Sequence, residues 1–242
     1  MLYRSHAMIM QLPLSVSLKD STNFDSYWPG PNAEAMAYLQ SLTGRSDQAA
    51  VYLWGESGAG KSHLLQAVCH AAGERGAAAV YLPLQVSEQF SCDALDGLEN
   101  VDMVCIDDIH AIAGNRDWEL ALIKLFERIH ELTDGGLVIT GNAPIAELGL
   151  DLPQLASRLA WGLLFQLRTL DSPDMLQALQ LRASRRGFEL PKETGRYLIR
   201  QCGHDMTTLF TTLESLDKAS LAAKRRLTIP FIRSVLKTAH TG

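Results

Sequence analysis

One loop constrains the fold of this chain more than any other feature. Residues 55–62 read Gly-Glu-Ser-Gly-Ala-Gly-Lys-Ser, which fits the phosphate-loop pattern GxxxxGK[ST]. An apolar run at residues 51–54 precedes the loop and predicts a buried strand, and Leu64, Leu65 and Val68 follow it at helical spacing. Glycines let backbone N–H groups surround a polyphosphate, and the N-terminus of the following helix adds partial positive charge. Because strand, loop and helix come in the required order, the sequence predicts a nucleotide-binding site.

Two side chains of this loop have specific expected roles. Lys61 is expected to hold the outer phosphates, and Ser62 is expected to ligate the Mg²⁺ that accompanies them. The predicted cofactors are therefore ADP or ATP together with Mg²⁺. The predicted nucleotide-binding residues in and beside the loop are Ser57, Gly58, Ala59, Gly60, Lys61, Ser62 and His63.

A second apolar run ends in two carboxylates. Residues 101–106 lead directly into Asp107 and Asp108. In phosphate-loop proteins one such acid joins the Mg²⁺ shell, while the second polarises a water molecule. We therefore predict Asp107 as a metal ligand together with Ser62, and both acids as catalytic residues.

An amide and a guanidinium complete the candidate catalytic set. Residues 137–140 form another apolar run, and the Asn142 side chain beyond it is predicted to reach the γ-phosphate or its attacking water. An Asn in a turn before Pro144 is also ordinary turn chemistry. Arg158 is either a surface arginine or an arginine finger that acts on a neighbouring molecule, since a guanidinium suits the charge that develops on a phosphate.

Apolar runs and helical periods divide the chain into three predicted parts. Residues 1–20 form an extended tail, residues 21–170 alternate strand and helix as a parallel sheet requires, and residues 171–242 are helical. The helical part begins at Ser172, interpreted as a capping serine before Pro173. The predicted strands are 51–54, 78–84, 101–106, 137–140 and 163–167, and the predicted helices include 118–132, 191–201, 206–222 and 229–239.

Composition limits the kinds of protein that this chain can be. With 242 residues, of which 47% are hydrophobic, it is large enough for an α/β domain and a smaller second one. No apolar stretch approaches the length of a membrane span, and the N-terminus is too brief for a signal peptide. The four cysteines lack metal-type or disulfide-type pairing, which favours a reducing cytoplasm.

The net charge of −5 divides unevenly, into −10 for residues 1–170 and +5 for residues 171–242. A basic C-terminal part suits nucleic acid or an acidic partner. The alternative is a solvated helical surface, which we favour because aromatic residues do not regularly interleave the basic ones.

The order of these motifs resembles that of a known family. The phosphate loop, the Asp107-Asp108 pair, Thr-Gly-Asn at 140–142 and Ser-Arg-Leu-Ala-Trp-Gly at 157–162 follow the order found in the AAA+ ATPases. More narrowly, they resemble the bacterial replication initiator DnaA and its relatives, from about residue 24 to the C-terminus. The resemblance implies an α/β fold, an AAA+ P-loop NTPase core with a parallel five-stranded sheet, followed by a small all-α lid. The residues that it places near the base are Tyr27, Trp28 and Pro29.

Two features narrow the resemblance to regulatory relatives of the initiator. The chain ends at Gly242, with no room for the helix-turn-helix domain that follows the lid of the initiator. In the tail, residues 11–16 (Gln-Leu-Pro-Leu-Ser-Val) resemble the peptide by which bacterial proteins dock on the DNA polymerase sliding clamp. The other interpretation is a tail strand that packs on the core or on a second copy. The predicted partner-binding residues are Gln11 as a hydrogen-bonding anchor, and Leu12, Leu14 and Val16.

The resemblance implies a regulator that acts on a partner's nucleotide. Tethered to the clamp, the chain would present Arg158 to ATP held by DnaA, and the product ADP-DnaA would be inactive for replication. Its own hydrolysis is expected to be weak, because Thr207 of the nucleotide site stands where the family places an arginine. The expected partners are DnaA, the sliding clamp and further copies of the chain in the bacterial cytoplasm, without sequence-specific DNA binding or a membrane.

Two other functions are compatible with the sequence. An AAA+ helicase loader would bind single-stranded DNA and helicase, and would lack clamp affinity. A P-loop small-molecule kinase would need a substrate pocket and several lid arginines directed at the phosphates.

Overall fold

The structure of the protein is a computed structural model that describes residues 22–43, 49–132, 135–223 and 225–239. The predictions for the tail, including Gln11, Leu12, Leu14 and Val16, concern residues outside this described part of the chain. Within the described part, no helix is long and apolar enough to cross a membrane. The chain forms an α/β part around one sheet, followed by a helical part.

The sheet has five parallel strands in the spatial order β2-β3-β4-β1-β5, which confirms the predicted fold class. Two strands start later than the sequence predicted, because residues 101 and 102 form a bend in which the Asp102 carboxylate accepts the Ala78 N–H at 2.7 Å. The strands are β1 (Ala49–Trp54), β2 (Ala79–Pro83), β3 (Met103–Asp107), β4 (Gly136–Gly141) and β5 (Leu163–Gln166).

The pairing order brings the ends of three strands together. β4 lies between β3 and β1, with Ile139 opposite Ile106 on one side and Thr140 opposite Leu53 on the other. The carboxyl ends of parallel strands lie at the same edge of a sheet. The phosphate loop after β1, the acids at the end of β3 and Asn142 after β4 therefore meet at one edge.

Helices cover both faces of this sheet. Successive side chains of a strand point to opposite faces; accordingly Val51 and Leu53 of β1 pack with the first two helices, and Tyr52 packs with the next two. The helices are α1 (Ala33–Leu42), α2 (Lys61–Glu74), α3 (Arg116–Leu132) and α4 (Pro153–Leu159). The apolar stripe of α3 that the spacing predicted is buried, at Trp118, Leu122, Leu125 and Ile129.

The C-terminal part has its own core, built by helices α5 (Ser172–Arg185), α6 (Lys192–Cys202), α7 (Met206–Ala223) and α8 (Ile229–Ala239). The prediction that Ser172 caps α5 was wrong. Asp171 is the capping residue, and its side chain accepts the Asp174 N–H at 2.9 Å. An aspartate fits this place better, because a carboxylate also interacts favourably with the positive end of the helix dipole. Ser172 lies in the first turn, and its hydroxyl pairs with His204 at 2.9 Å.

The segment before α1 joins the two parts. Asn32 is buried and exchanges two hydrogen bonds with the Arg168 backbone, at 2.8 and 2.9 Å. The Trp28 indole N–H donates to the Asp174 carboxylate of α5 at 2.9 Å. The segment is thus fastened both to the linker after β5 and to the first helix of the lid.

Gly162 provides a test of this packing. A Cβ at this position would overlap the Ala50 carbonyl, because the turn before β5 runs directly against β1. We expect Gly162→Ala to lower the free energy of unfolding by about 1–3 kcal/mol, the usual cost of overpacking. Urea denaturation followed by circular dichroism measures the change.

Gly73→Ala is the matched control, since Gly73 is helical and the added methyl group would meet no atom within 4 Å other than those of its chain neighbours and the adjacent backbone of its own helix. It should raise the free energy of unfolding by about 0.5–1 kcal/mol. A Gly162→Ala protein as stable as the wild type would contradict the close approach of β5 to β1.

Candidate nucleotide site

A cavity of about 580 Å³ lies between the α/β part and the lid, at the edge where the three strand ends meet. It holds predicted residues from the N-terminal segment, the phosphate loop, the acid strand and the lid. The lining side chains are Ser26, Tyr27, Trp28, Ser57, Gly58, Ala59, Gly60, Lys61, Ser62, His63, Gln85, Asp108, His110, Asn142, Leu170, Ala178, Met206, Thr207 and Phe210. Two residues that were predicted to bind the nucleotide or its metal, Asp107 and Pro29, do not line the cavity.

The phosphate loop needs glycine at position 60 for two reasons. Its φ of +91° is in the left-handed region, and α2 begins at the next residue. A Cβ at this position would also lie 2.7 Å from the Tyr27 ring. Tyr27 therefore packs directly on the loop, and its ring meets the His63 ring edge-on at 5.3 Å.

Lys61 is held inside the loop by backbone carbonyls. Its ammonium donates to the Gly55 and Glu56 carbonyl oxygens at 2.8 and 3.0 Å. Burial lowers the pKa of Lys61, and the carboxylates of Asp108 and Asp107 partly oppose that shift. A cation lies at the mouth of the phosphate loop, where an oligophosphate needs it.

Asp107 lies behind the cavity wall and is almost completely buried. One carboxylate oxygen accepts the Tyr81 hydroxyl at 2.7 Å, and the other accepts the Thr140 hydroxyl at 2.5 Å. The Thr140 oxygen in turn accepts the backbone N–H of Asp108 at 2.9 Å. The sequence did not identify Tyr81 or Thr140, because nothing local marks them as partners of an acid on another strand.

Asp108 is the acid that faces the cavity. It adopts a φ of +60°, which is uncommon for a residue with a side chain and turns the chain sharply after β3. Burial, followed by the Asp107 charge, raises the pKa of Asp108, while His110, Lys61 and a hydrogen bond from Gln85 act in the opposite direction. The His110 Nδ1 atom lies 3.8 Å from the Asp108 carboxylate.

Asn142 also lines the cavity, and a tyrosine fixes the turn that carries it. The Tyr52 hydroxyl donates to the Ala143 carbonyl at 2.6 Å. Gly141 is required beside it, because a Cβ there would overlap the Tyr52 oxygen. The structure therefore brings Asn142, Asp108 and Lys61 to one cavity.

The lid closes the cavity with Thr207, Met206 and Phe210 of α7. The carboxylate of Asp205 caps this helix by accepting the Thr208 N–H at 2.8 Å. The same side chain also approaches the phosphate loop: its Oδ1 atom lies 3.6 Å from the position that a Cβ on Gly58 would take.

The donors and acceptors of this cavity suit a nucleoside di- or triphosphate with Mg²⁺. The loop amides and Lys61 would hold the phosphates, and the walls formed by Tyr27, Trp28 and Phe210 are apolar enough for a base. In the ranges that the structure describes, no three His, Cys, Asp or Glu side chains form a metal-binding group. A Mg²⁺ ion here would take its remaining ligands from the phosphates and water, with Ser62 beside the loop.

Arg158 lies elsewhere, on α4, and does not line the cavity. Its guanidinium pairs with the Glu127 carboxylate of α3 at 2.8 Å and lies over the Trp161 ring, 4.3 Å from the centroid. The side chain is 22% exposed, and Trp161 is 52% exposed. Its Nε atom is buried and has no hydrogen-bond partner. This arginine therefore takes no part in lining the chain's own cavity.

A buried glutamate that the sequence did not identify connects these two regions. Glu119 of α3 is completely buried, and its carboxylate accepts three backbone N–H groups. The donors are Gly114, in the loop after the acids, and Asp151 and Leu152, at the start of α4, at 2.9, 3.0 and 2.7 Å. Glu119 therefore fastens the loop that follows Asp108 to the helix that carries Arg158.

This arrangement of phosphate loop, acid strand and helical lid is that of the AAA+ ATPases. The sequence profile described as the bacterial DnaA ATPase domain matches residues 18–166, and that described as the Hda lid domain matches residues 171–236. The chain therefore belongs to the family of DnaA-related AAA+ proteins, and its lid is of the Hda type. The resemblance inferred from the motifs is confirmed.

Solved structures show the same fold. Domain III of the replication initiation protein DnaA from Thermotoga maritima superposes with a TM-score of 0.78 at 20% identity, over 92% of this chain and 98% of that one. AMPPCP-bound DnaA from Aquifex aeolicus gives 0.70 at 18% identity, over 83% and 66% of the two chains. The Thermotoga maritima RuvB Holliday junction branch migration motor gives 0.65 at 14% identity, over 85% and 67%. At these identities the likeness concerns the fold alone.

The partly buried His63 makes stability depend on pH. Burial lowers the pKa of His63 from 6.5 to about 4, with the Asn23 carbonyl opposing the shift and the Arg182 charge adding to it. The unfolded chain therefore takes up a proton near pH 6.5, while the folded chain stays neutral until about pH 4. We expect the free energy of unfolding of the wild type to decrease by up to about 3 kcal/mol as pH falls from 6.5 to about 4, because only the unfolded chain gains the proton on His63.

Urea denaturation at several pH values tests this. His63→Gln should remove most of that dependence, whereas His204→Gln, at an exposed position, should retain it. Identical pH profiles for wild type and His63→Gln would contradict a neutral, partly buried His63.

Glu119 gives a second prediction. Glu119→Gln keeps the shape of the side chain but turns an amide N–H₂ towards backbone N–H groups and removes the charge that they stabilise. We expect a loss of about 3 kcal/mol in the free energy of unfolding. The control is Glu131→Gln, at an exposed position of the same helix, which should change stability by less than about 0.5 kcal/mol. Equal stability of the two variants would show that the three N–H groups do not depend on the carboxylate.

Proposed function

We propose that this chain regulates the initiation of bacterial DNA replication by stimulating ATP hydrolysis on the initiator DnaA. In this proposal a nucleotide occupies its own cavity, the tail tethers it to the sliding clamp, and Arg158 acts on ATP bound by DnaA. The observation that carries the proposal is the position of Arg158. It lies outside the chain's own cavity in a protein whose family is that of the initiator.

The family match and the cavity support nucleotide binding. Structures of DnaA, a protein with the same fold, have been solved with AMPPCP, an ATP analogue. In this chain the phosphate loop, Lys61, Asp108 and Asn142 converge on one cavity of about 580 Å³, a volume that suits a small-molecule ligand.

The surroundings of Arg158 support an action in trans. The Glu127 carboxylate and the Trp161 ring hold the guanidinium at the surface in a defined orientation, at 2.8 and 4.3 Å. A surface ion pair of this kind is weak and exchanges readily for a phosphate, because a guanidinium binds either anion with the same planar donors. The neighbouring exposed ring of Trp161 offers apolar area for a protein interface.

The chemical contribution of Arg158 would be electrostatic. Water attacks the γ-phosphorus of ATP on DnaA, the bond to the β-phosphate oxygen breaks, and ADP and inorganic phosphate result. The guanidinium would stabilise the negative charge that develops on the transferred group. An arginine supplied in trans accelerates related reactions by about 10³–10⁵-fold. The product, ADP-DnaA, would be inactive for initiation.

The chain's own nucleotide would have a mainly structural role. The cavity is closed by residues of both the core and the lid, and a ligand there would join them. Thr207 lines the cavity where an arginine would reach a γ-phosphate, and a threonine hydroxyl carries no charge to stabilise it. We therefore propose that this chain hydrolyses its own ATP only weakly. Glu119 would couple the nucleotide site to the helix that carries Arg158, because it bonds the backbone of both.

Hydrolysis of ATP by purified DnaA, with clamp loaded on DNA, tests the proposal. Wild-type protein should stimulate hydrolysis, and Arg158→Ala should abolish the stimulation. Gln11→Ala should weaken it strongly at low protein concentration and less at high concentration, because a tether raises effective concentration.

Arg128→Ala is the matched control. Arg128 also lies on the surface in an ion pair, with Asp96 at 3.2 Å, but not beside Trp161. It should stimulate like the wild type. Absence of stimulation by folded, nucleotide-loaded wild type would reject the proposal. Binding to helicase and single-stranded DNA without clamp affinity would instead indicate a loader, and phosphorylation of a small molecule would indicate a kinase.

A further inference from the structure

The acidic and the basic side chains of the lid have different surroundings. Six of its seven acids are engaged in local contacts: Asp171 and Asp205 cap helices, Asp174 holds Trp28, Glu193 pairs with an arginine of α6, and Glu214 and Asp217 pair with arginines of α5. The paired arginines are Arg182 and Arg186, at 2.5 and 2.8 Å from these last two acids. The acids are thus consumed in capping, lid packing and the junction with the core.

The basic residues of α6 and of the α7–α8 turn face solvent instead. Lys192, Arg196 and Arg200 are exposed at intervals of four residues, hence along one face of α6. Arg196 pairs with Glu193 at 3.3 Å. Across residues 22–43, 49–132, 135–223 and 225–239, no carboxylate forms an ion pair with Arg200, Arg225, Arg226 or Arg233.

Three of these arginines line two adjoining grooves at the start of α8, which we call the basic groove. One groove, of about 610 Å³, is lined by Ile229, Pro230, Arg233 and Ser234. The other, of about 400 Å³, shares Pro230 and Ser234 with it and adds Arg225, Arg226, Thr228 and Phe231. The grooves are continuous through their shared residues, and none of these residues lines the nucleotide cavity.

The basic groove is connected to the basic face of α6 through an aromatic ring. The Arg233 guanidinium lies 5.8 Å from the centre of the Tyr197 ring, and Tyr197 lies between Arg196 and Arg200 on α6. Tyr197 thus interleaves two basic residues in the sequence itself, but its contact with Arg233 could not be predicted, because the two residues are on different helices. The backbone of Arg225 is fixed by its N–H bond to the Ser220 carbonyl at 3.0 Å. The arginines therefore belong to a formed surface rather than to a tail.

We propose that the basic groove and the neighbouring face of α6 bind the phosphodiester backbone of nucleic acid without reading its sequence. Arginine forks bind phosphate oxygens through planar paired donors, and an aromatic ring among them offers a face on which an unpaired base can stack. Arg196 and Arg200 are separated by about 6 Å of helix rise, close to two base-pair steps of about 3.4 Å. The rest of the chain, with a net charge of −10 over residues 1–170, would turn away from DNA and orient the lid towards it.

The binding is independent of the function proposed above and is tested on the chain alone. Fluorescence anisotropy with short labelled duplex DNA and single-stranded DNA, at several salt concentrations, measures the affinity. Wild type should bind with a dissociation constant of about 10⁻⁴–10⁻⁶ M at physiological salt, the range of non-specific binding. The triple variant Arg225→Gln, Arg226→Gln, Arg233→Gln should bind at least about tenfold more weakly and lower the slope of log K against log salt by about 2–3.

Control variants and competitors decide the outcome. Arg75→Gln, Arg116→Gln, Lys124→Gln removes the same charge from exposed positions of the α/β part and should retain the affinity. Where the groove variant loses affinity unequally for duplex and for single-stranded DNA, the form with the larger loss is the one that the groove prefers. Equal loss in the two triple variants, no binding by wild type at low salt, or equal competition by polyglutamate would overturn the proposal. The last outcome would indicate an acidic protein partner.

Discussion

The buried carboxylate of Asp107 is the interaction on which the nucleotide site depends. It accepts hydroxyl groups from Tyr81 on β2 and Thr140 on β4, and it lies at the end of β3. An ionised group can remain in such a place only when polar partners satisfy it. Here the partners come from the two adjacent strands, and together they fix the carboxyl ends of three strands relative to one another. Thr140 extends the network to the backbone of Asp108, which turns that second acid into the cavity.

Helix α3, which packs on one face of the sheet, also uses two carboxylates to hold neighbouring elements in place. Glu119 is fully buried and holds the loop after the acids together with the start of α4, while Glu127 pairs with Arg158, one residue before the end of α4. The helix that carries the arginine is thus fixed at both ends to one rigid element. Glu119 therefore connects the loop beside the nucleotide cavity to the helix that carries Arg158. A displacement of that loop would reach Arg158 through hydrogen bonds from the backbone to this one buried side chain.

The parts of this site that follow from local sequence could be predicted. The phosphate loop, the strand ends and the stripe of α3 are each encoded in a run of a few residues, and the alternation of strands with helices predicts a parallel sheet, although it does not predict the order of its strands. What could not be predicted depends on partners distant in sequence. Asp107 and Thr140 are 33 residues apart, and nothing in either segment indicates which of the two neighbouring acids would be buried. The cap of α5 was misassigned for a related reason, since Asp171 and Ser172 both suit a helix start and only the backbone geometry distinguishes them.

In the two proposals made here, the lid would contact a different ligand on each of two faces. Its acids are engaged in helix caps, in ion pairs with arginines of α5 and in the Trp28 contact that joins it to the core, so they contribute to closing the nucleotide cavity. In the part of the chain that the structure describes, Arg200, Arg225, Arg226 and Arg233 form no ion pair with a carboxylate and give the lid a positive outer surface, whereas Arg196 pairs with Glu193 and Arg185 pairs with Asp25. The asymmetry is therefore a consequence of how the lid packs: each carboxylate that stabilises the junction with the core or the lid interior removes a negative charge from the outside. A nucleotide in the cavity and a polyanion in the basic groove would need no shared residue.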